Sequence, residues 1–243
     1  MMDIIEQLRD DNNYYGVLGK QYLSNSDIGT LLNNPQGYGK SRPDSKNLLE
    51  GRYFHQLLIE PEKAQVIPFV DVTTRTTKEY KNYCEENNLE MCMLKKEKED
   101  IERLVSVMKR NITFYDEIYR EGNLFETPAI TEIAGLKWKG KADILTHDSI
   151  IDLKTTADIQ KFKYSARSYN YDSQCYIYQT LFGKPLVFYV VDKATAQLGI
   201  FRPTEEFVRG GEAKVIRAVE VYQKYYGANP TDDIANHYIE DTL

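Results

Sequence analysis

The sequence contains no apolar run approaching the roughly 18 residues that a membrane span requires. Its N-terminus is polar and acidic and has no signal-peptide pattern. Cysteine is scarce: Cys84, Cys92 and Cys175 are odd in number and scattered. They give neither a disulfide framework nor a zinc spacing, and are too few for a four-thiolate iron–sulfur cluster. A reducing cytoplasm, with no membrane partner, is the expected setting. Repeats, low-complexity tracts and long linkers are also missing. Positive charge is not in excess either, with 31 Lys and Arg against 37 Asp and Glu, a net charge of −6. That balance does not exclude a nucleic-acid partner. Binding depends on local basic patches, and an acidic remainder limits nonspecific adhesion.

What is present is the composition of a soluble globular protein, 42% hydrophobic and 28% charged. A chain of 243 residues can bury a full core. The 19 tyrosines are mostly amphipathic packing residues, with a few free to stack on bases. Residues 1–20 read as a polar, partly mobile segment ahead of a single domain over 21–243. Ser24 or Ser26 would cap a first helix that stops at Asn34-Pro35. Helices are expected over about 46–59, 77–92 and 95–120. A three-strand meander follows, near 128–134, 136–146 and 149–155. Helices near 157–168 and 171–182, strands at 186–192 and 197–202, and a helix at 204–226 complete the order. This order suggests an α/β fold with a mixed sheet between helical layers.

The most informative stretch is 132–156. Asp152 and Lys154 are two apart on a strand, so they share a face while Ile151 and Leu153 enter the other. A charged pair inside an apolar run makes sense where that face looks into a cleft. If the turn is centred on His147-Asp148, Asp143 lies directly opposite Asp152, with Cβ atoms about 4.5–5.5 Å apart. Two carboxylates and a lysine beside a cleft are the parts for metal-assisted phosphodiester hydrolysis. Glu132, on the first strand of the meander, could reach the same cleft, with Glu126 as the competing acid.

Other residues join this group. His55 follows Gly51 by four in a helical, largely apolar segment, and glycine there would allow another backbone to approach closely. Gln174 and Tyr178 are also four apart and share a helix face; the glutamine could bond a phosphate, a base edge or a water. Lys137, Lys139 and Lys141 alternate toward Asp143, as a phosphate track or as an edge strand protected by lysine. Lys161, Lys163 and Arg167 add charge on the next helix.

At these residues the chain resembles the PD-(D/E)XK nucleases, in the RecB-like branch that includes RecE-type exodeoxyribonucleases (exodeoxyribonuclease VIII) of phages and prophages. The resemblance is carried by Gly51 to His55, Asp143, Asp152-Leu153-Lys154 and the Gln174–Tyr178 pair. The run from Asp152 to Phe162, continuing to Tyr178, is similar to the RecE nuclease domain in particular. The opening Leu23-Ser24-Asn25-Ser26 with Pro35 also resembles that family's entry. No proline precedes Asp143, and Asp152 stands where many relatives carry glutamate.

The resemblance implies a restriction-endonuclease-like core and a Mg²⁺- or Mn²⁺-dependent deoxyribonuclease. Asp143, Asp152 and the Leu153 carbonyl would hold the metal, with His55 completing or adjoining the site and Glu132 as a further ligand. Lys154 would orient or deprotonate the attacking water, and Gln174 would position DNA or water. Lys137, Lys139, Lys141, Lys163 and Tyr178 would contact DNA. It further implies 5′-to-3′ degradation of linear duplex DNA from its ends, a single-strand annealing protein as partner, and a ring-shaped homo-oligomer, trimer or tetramer. An endonuclease or flap nuclease on the same core, or a catalytically silent DNA-binding module, are the alternatives.

Overall fold

A computed structural model describes residues 3–40, 43–240 and 242. Two short helices, α1 (Ile4–Gln7) and α2 (Asp11–Tyr15), precede α3 (Asn25–Asn33), α4 (Lys46–Ile59) and the single turn α5 (Pro61–Ala64). Strand β1 (Phe69–Val70), α6 (Lys78–Glu86) and β2 (Met93–Leu94) lead to α7 (Lys95–Arg110) and α8 (Ile112–Ile118). The meander is β3 (Leu124–Ile133), β4 (Leu136–Leu145) and β5 (Ile150–Thr156). Helices α9 (Phe162–Ser168) and α10 (Tyr171–Phe182), strands β6 (Leu186–Asp192) and β7 (Leu198–Phe201), and α11 (Glu205–Tyr225) complete the chain. No helix among the described residues is long and apolar enough to cross a membrane.

Local chemistry explains most boundaries. Ser24 caps α3, its backbone N–H and hydroxyl both reaching the Asp27 carboxylate at 2.8 and 2.9 Å. Gly183 ends α10 in the left-handed conformation (φ 66°) that glycine adopts freely. The expected 95–120 helix breaks in two because the Asn111 side chain caps α8, accepting the Phe114 N–H at 3.2 Å. The expected 77–92 helix stops at Glu86, and the chain after it forms β2, paired in parallel with β1.

The main sheet runs β3–β4–β5–β6–β7 and is mixed: β5 and β6 are parallel, joined by the α9–α10 crossover, and the other pairs are antiparallel. Its two faces bury separate cores. Ile144, Ile151, Leu153, Val187, Tyr189 and Val191 meet α4, α7 and α8 on one side. Ala142, Ile150, Leu186, Phe188 and Val190 meet α9 and α10 on the other. Every residue of β6 is buried, as a strand covered on both faces must be. A third cluster, around Trp138, Ile177 and Val215, packs α3 and α11 beside α10. This is the α/β arrangement of a restriction-endonuclease-like core.

Residues 3–20 are not a loose appendage. Leu8 is fully buried, Tyr14 nearly so, and Asp11 bridges Lys63 of α5 and Lys141 of β4 at 2.6 and 2.7 Å.

Helix α11 approaches α10 at Gly211, where an added Cβ would lie 1.9 Å from the Asp172 carbonyl oxygen. Gly211→Ala should therefore lower the melting temperature by on the order of 5 °C, since overpacking costs about 1–3 kcal/mol. Gly51→Ala, whose methyl would meet nothing within 4 Å, should instead raise stability, by about 0.5–1 kcal/mol. Thermal denaturation of the two variants checks both signs.

Candidate active site

Strands β4 and β5 pair at Ile144–Ile151 and Leu145–Ile150 and close through a turn in which Thr146 N–H meets the Ser149 carbonyl at 2.9 Å. The turn is centred on His147-Asp148, as expected, and the continued register sets Asp143 opposite Asp152. Regular pairing ends there. The Asp143 carboxylate, not a backbone carbonyl, accepts the Leu153 N–H, at 2.8 Å. Beyond it the strands part, and Tyr178 of α10 takes over the exposed edge of β4. Its hydroxyl accepts from Lys141 N–H (3.4 Å) and donates to the Lys141 carbonyl (3.1 Å). Farther along, Leu23 bonds Lys137 and Lys139 through their backbones at 2.9 and 2.8 Å. The edge thus keeps its hydrogen bonds after losing its neighbour.

The fork gathers side chains from both layers. From α4, His55 places Nε2 2.7 Å from the Leu153 carbonyl and Nδ1 3.4 Å from Asp143 Oδ2. From α10, Gln174 Nε2 donates to Asp152 Oδ1 at 2.6 Å. Lys154 Nζ lies 2.6 Å from Asp152 Oδ2 and 5.0 Å from the Tyr171 ring centroid. From β3, Glu126 joins His55 and Asp143, the three offering ligand atoms within 4.8 Å of one another.

Two buried carboxylates and a half-buried third at one level cannot all ionise cheaply. Burial works against Asp143, but His55, Lys154 and the Leu153 N–H hold it below the usual carboxylate range. Burial raises Asp152, and the Asp143 charge adds to this. Glu126 is pushed up to about 8 by burial, with Asp143 and Glu60 contributing and Lys141 opposing. Burial alone would lower His55; Asp143 overrides it and lifts the imidazole to about 9. Asp152 Oδ2 is buried without an aligned hydrogen bond, with only the Lys154 ammonium beside it. Carboxylate oxygens and a backbone carbonyl are donors suited to a hard divalent cation, with His55 adjoining through the Leu153 carbonyl and Asp143. These residues fit one.

Other expected residues lie elsewhere. Glu132 is exposed, registers with Lys137, and lies about 20 Å along the strand from Asp143 at ~3.3 Å per residue. The acid at the fork is Glu126, which falls level with Asp143 and has a left-handed backbone (φ 46°). The Ala134-Gly135 turn sets that register and was the signal in the sequence that could have chosen between the two. Lys139 and Lys141 are not a phosphate track. Both ammonium groups lie over the Tyr14 ring, at 4.2 and 4.6 Å, and burial lowers Lys139 to about 8. Lys137 is exposed but remote from the fork, and Lys163 is exposed on α9. Tyr178 is half-buried, and its hydroxyl is held by the β4 backbone at Lys141. Gly51 has open space where a Cβ would sit, so no backbone among the described residues approaches it.

No curated protein matches the chain in sequence. Among solved structures, a "Putative exonuclease" from Eubacterium rectale shares the fold, with a TM-score of 0.62 at 19% identity over 96% of this chain and 95% of that one. SSO0001 covers 68% of this chain and 84% of its own at 14% identity, with a TM-score of 0.30. A family model described as a PDDEXK-like domain of unknown function (DUF3799) matches residues 30–227, a span that contains every side chain gathered at the fork. On that match, and on a mixed sheet that parts at two facing aspartates, the chain belongs to this PDDEXK-like family.

Proposed function

We propose that the chain is a divalent-metal-dependent deoxyribonuclease, and within that class an exonuclease acting on the ends of linear duplex DNA. The observation that carries the reading is the fork itself, where Glu126, Asp143, Asp152, Lys154 and His55 converge and the one buried oxygen of Asp152 not held by Gln174 has only the Lys154 ammonium beside it. The Asp143 and Asp152 carboxylates and the Leu153 carbonyl would hold Mg²⁺ or Mn²⁺, with Glu126 and His55 adjoining. Such a cation supplies charge stabilisation at the phosphate and makes water a better nucleophile.

The chain's own groups supply the rest. Gln174 fixes one oxygen of Asp152, so the other stays directed toward Lys154 and the cleft. Lys154 has three donors and spends one direction on Asp152. The remainder orient the attacking water and balance charge as the phosphate becomes pentacoordinate. These interactions act where bulk water is largely excluded, which is where electrostatic effects are strongest.

The exonuclease reading is supported by the Asp152-to-Tyr178 run, which resembles the RecE branch, and by the exonuclease description of the Eubacterium rectale protein. An acidic chain grips DNA weakly by charge alone. A ring of three or four copies enclosing the duplex would keep it on its substrate, in the cytoplasm of a bacterial or phage-infected cell. A single-strand annealing protein would use the product.

Mg²⁺ or Mn²⁺ should raise the melting temperature of the metal-free protein, by about 2.7 kcal/mol of stability at a hundredfold excess over Kd. Asp143→Asn and Glu126→Gln should each diminish that rise, and Glu132→Gln should leave it intact. Asp152→Asn should cut hydrolysis by on the order of 10²-fold or more while the protein remains folded. Lys154→Ala should keep the thermal shift and lose turnover. With Mg²⁺, end-labelled linear duplex should be consumed while covalently closed circles survive, and sedimentation should show an assembly larger than a monomer. A monomer that nicks closed circles equally fast would make it an endonuclease.

A further inference from the structure

Beside Lys154 the surface carries a feature that the hydrolytic chemistry does not use. Helices α9 and α10 meet at Tyr169-Asn170, where Asn170 adopts the left-handed conformation (φ 59°, ψ 35°) that most L residues avoid. The turn is held from two neighbouring helices. Lys214 of α11 donates to the Arg167 carbonyl, Asn170 Oδ1 and Asp172 Oδ1 at 2.7, 3.0 and 2.9 Å, which engages all three of its protons. Asn25 of α3 donates to the Asn170 carbonyl at 3.2 Å and accepts from Ser173 Oγ at 2.6 Å.

On this braced turn Tyr169 is 66% exposed. An aromatic ring left in water on a rigid support is available to a ligand. Its position relates it to the fork: the Tyr169 and Tyr171 centroids are 5.9 Å apart, and the Tyr171 centroid is 5.0 Å from Lys154 Nζ. A second exposed ring lies farther out on α9: Tyr164 is 67% exposed with Lys163 Nζ 4.8 Å over it, while Lys161 pairs with Asp158 and Arg167 lies over the Phe207 ring. Exposed rings beside the lysines at 154 and 163, next to the proposed site of phosphodiester cleavage, match single-stranded nucleic acid, whose bases offer faces for stacking and whose backbone is anionic. Paired bases inside a duplex do not offer those faces.

We propose that Tyr169 is a stacking platform for an unpaired base of the strand whose phosphate enters the fork, with Tyr164 and Lys163 extending the track. This rests on the nuclease reading and adds to it a ligand, an unpaired DNA strand, and a place where it lies. Tyr169 acts as a substrate-positioning residue. Recognition there is tolerant of sequence, because every base has a π face.

The test measures binding apart from hydrolysis. The full chain is titrated in EDTA with a short fluorescein-labelled single-stranded oligodeoxynucleotide, followed by anisotropy. Tyr169→Ala should weaken binding about tenfold, while Tyr169→Phe and Tyr169→Trp stay within about twofold of wild type, since stacking needs the ring and not the hydroxyl. Tyr164→Ala should weaken it less. A covalently closed circular duplex, which has neither ends nor unpaired loops, should respond little to Tyr169→Ala. Equal melting temperatures show that the variants are folded. A folded Tyr169→Ala protein that binds the single strand within about twofold of wild type, or a Phe variant as weak as the Ala variant, overturns the proposal. Ring-dependent binding without any metal-dependent hydrolysis would support the platform and count against the nuclease reading alone.

Discussion

The candidate site depends on one event in the sheet: β4 leaves β5 after two register pairs. Had the strands stayed zipped, Asp143 and Asp152 would be an acidic cross-strand pair with the backbone between them sealed by its own hydrogen bonds. Because they part, the Leu153 N–H goes to the Asp143 carboxylate and the Leu153 carbonyl is left to His55. Backbone groups that would have joined the ladder become part of a polar cleft. The same parting lets helices on opposite faces of the sheet reach one point, His55 from α4 and Gln174 from α10.

Holding such a fork open needs support, because buried charge and unpaired backbone are both destabilising. Tyr178 and Leu23 complete the β4 edge, one from a helix and one from an extended segment. Helix α10 is in turn fixed by α11, which approaches closely at Gly211 and pairs Lys214 with the buried Asp172. Asp172 is two residues before Gln174, so this brace positions the hydrogen bond to Asp152. The N-terminal helices do similar work on the other side. They cover Lys139 and Lys141 with the Tyr14 ring and give Lys141 the Asp11 carboxylate, 2.7 Å away. Two lysines that look like a phosphate track in one dimension therefore serve to anchor a segment.

Regular elements with strong periodicity were legible in the sequence. The bounds of α4, α10 and β6 follow from Pro61, from Gly183 and from an unbroken apolar run, each a local signal. The break at Asn111 and the short β1–β2 pair were not, since a polar cap inside a helical pattern and a two-residue strand carry almost no periodic signal. The same distinction runs through the site. Asp143, Asp152 and Lys154 are related by a hairpin and a two-residue step, both short-range, and the structure sets them together. Glu126 and Glu132 have equal parity on β3, so alternation cannot separate them; counting back from the Ala134-Gly135 turn can. The fates of Lys139, Lys141 and Tyr178 depend on which distant segment covers them, which no local pattern encodes.

By itself, then, the sequence determined the class of fold, the facing aspartates with their lysine, and the absence of an apolar run long enough for a membrane span, because each follows from periodicity, spacing or composition over neighbouring residues. Only the tertiary structure decided that β4 and β5 separate and that His55 and Gln174 meet across the gap. Those outcomes depend on side chains from α4, α10, α11 and the N-terminal helices arriving at one strand edge. Their arrival depends on packing among segments far apart in the chain.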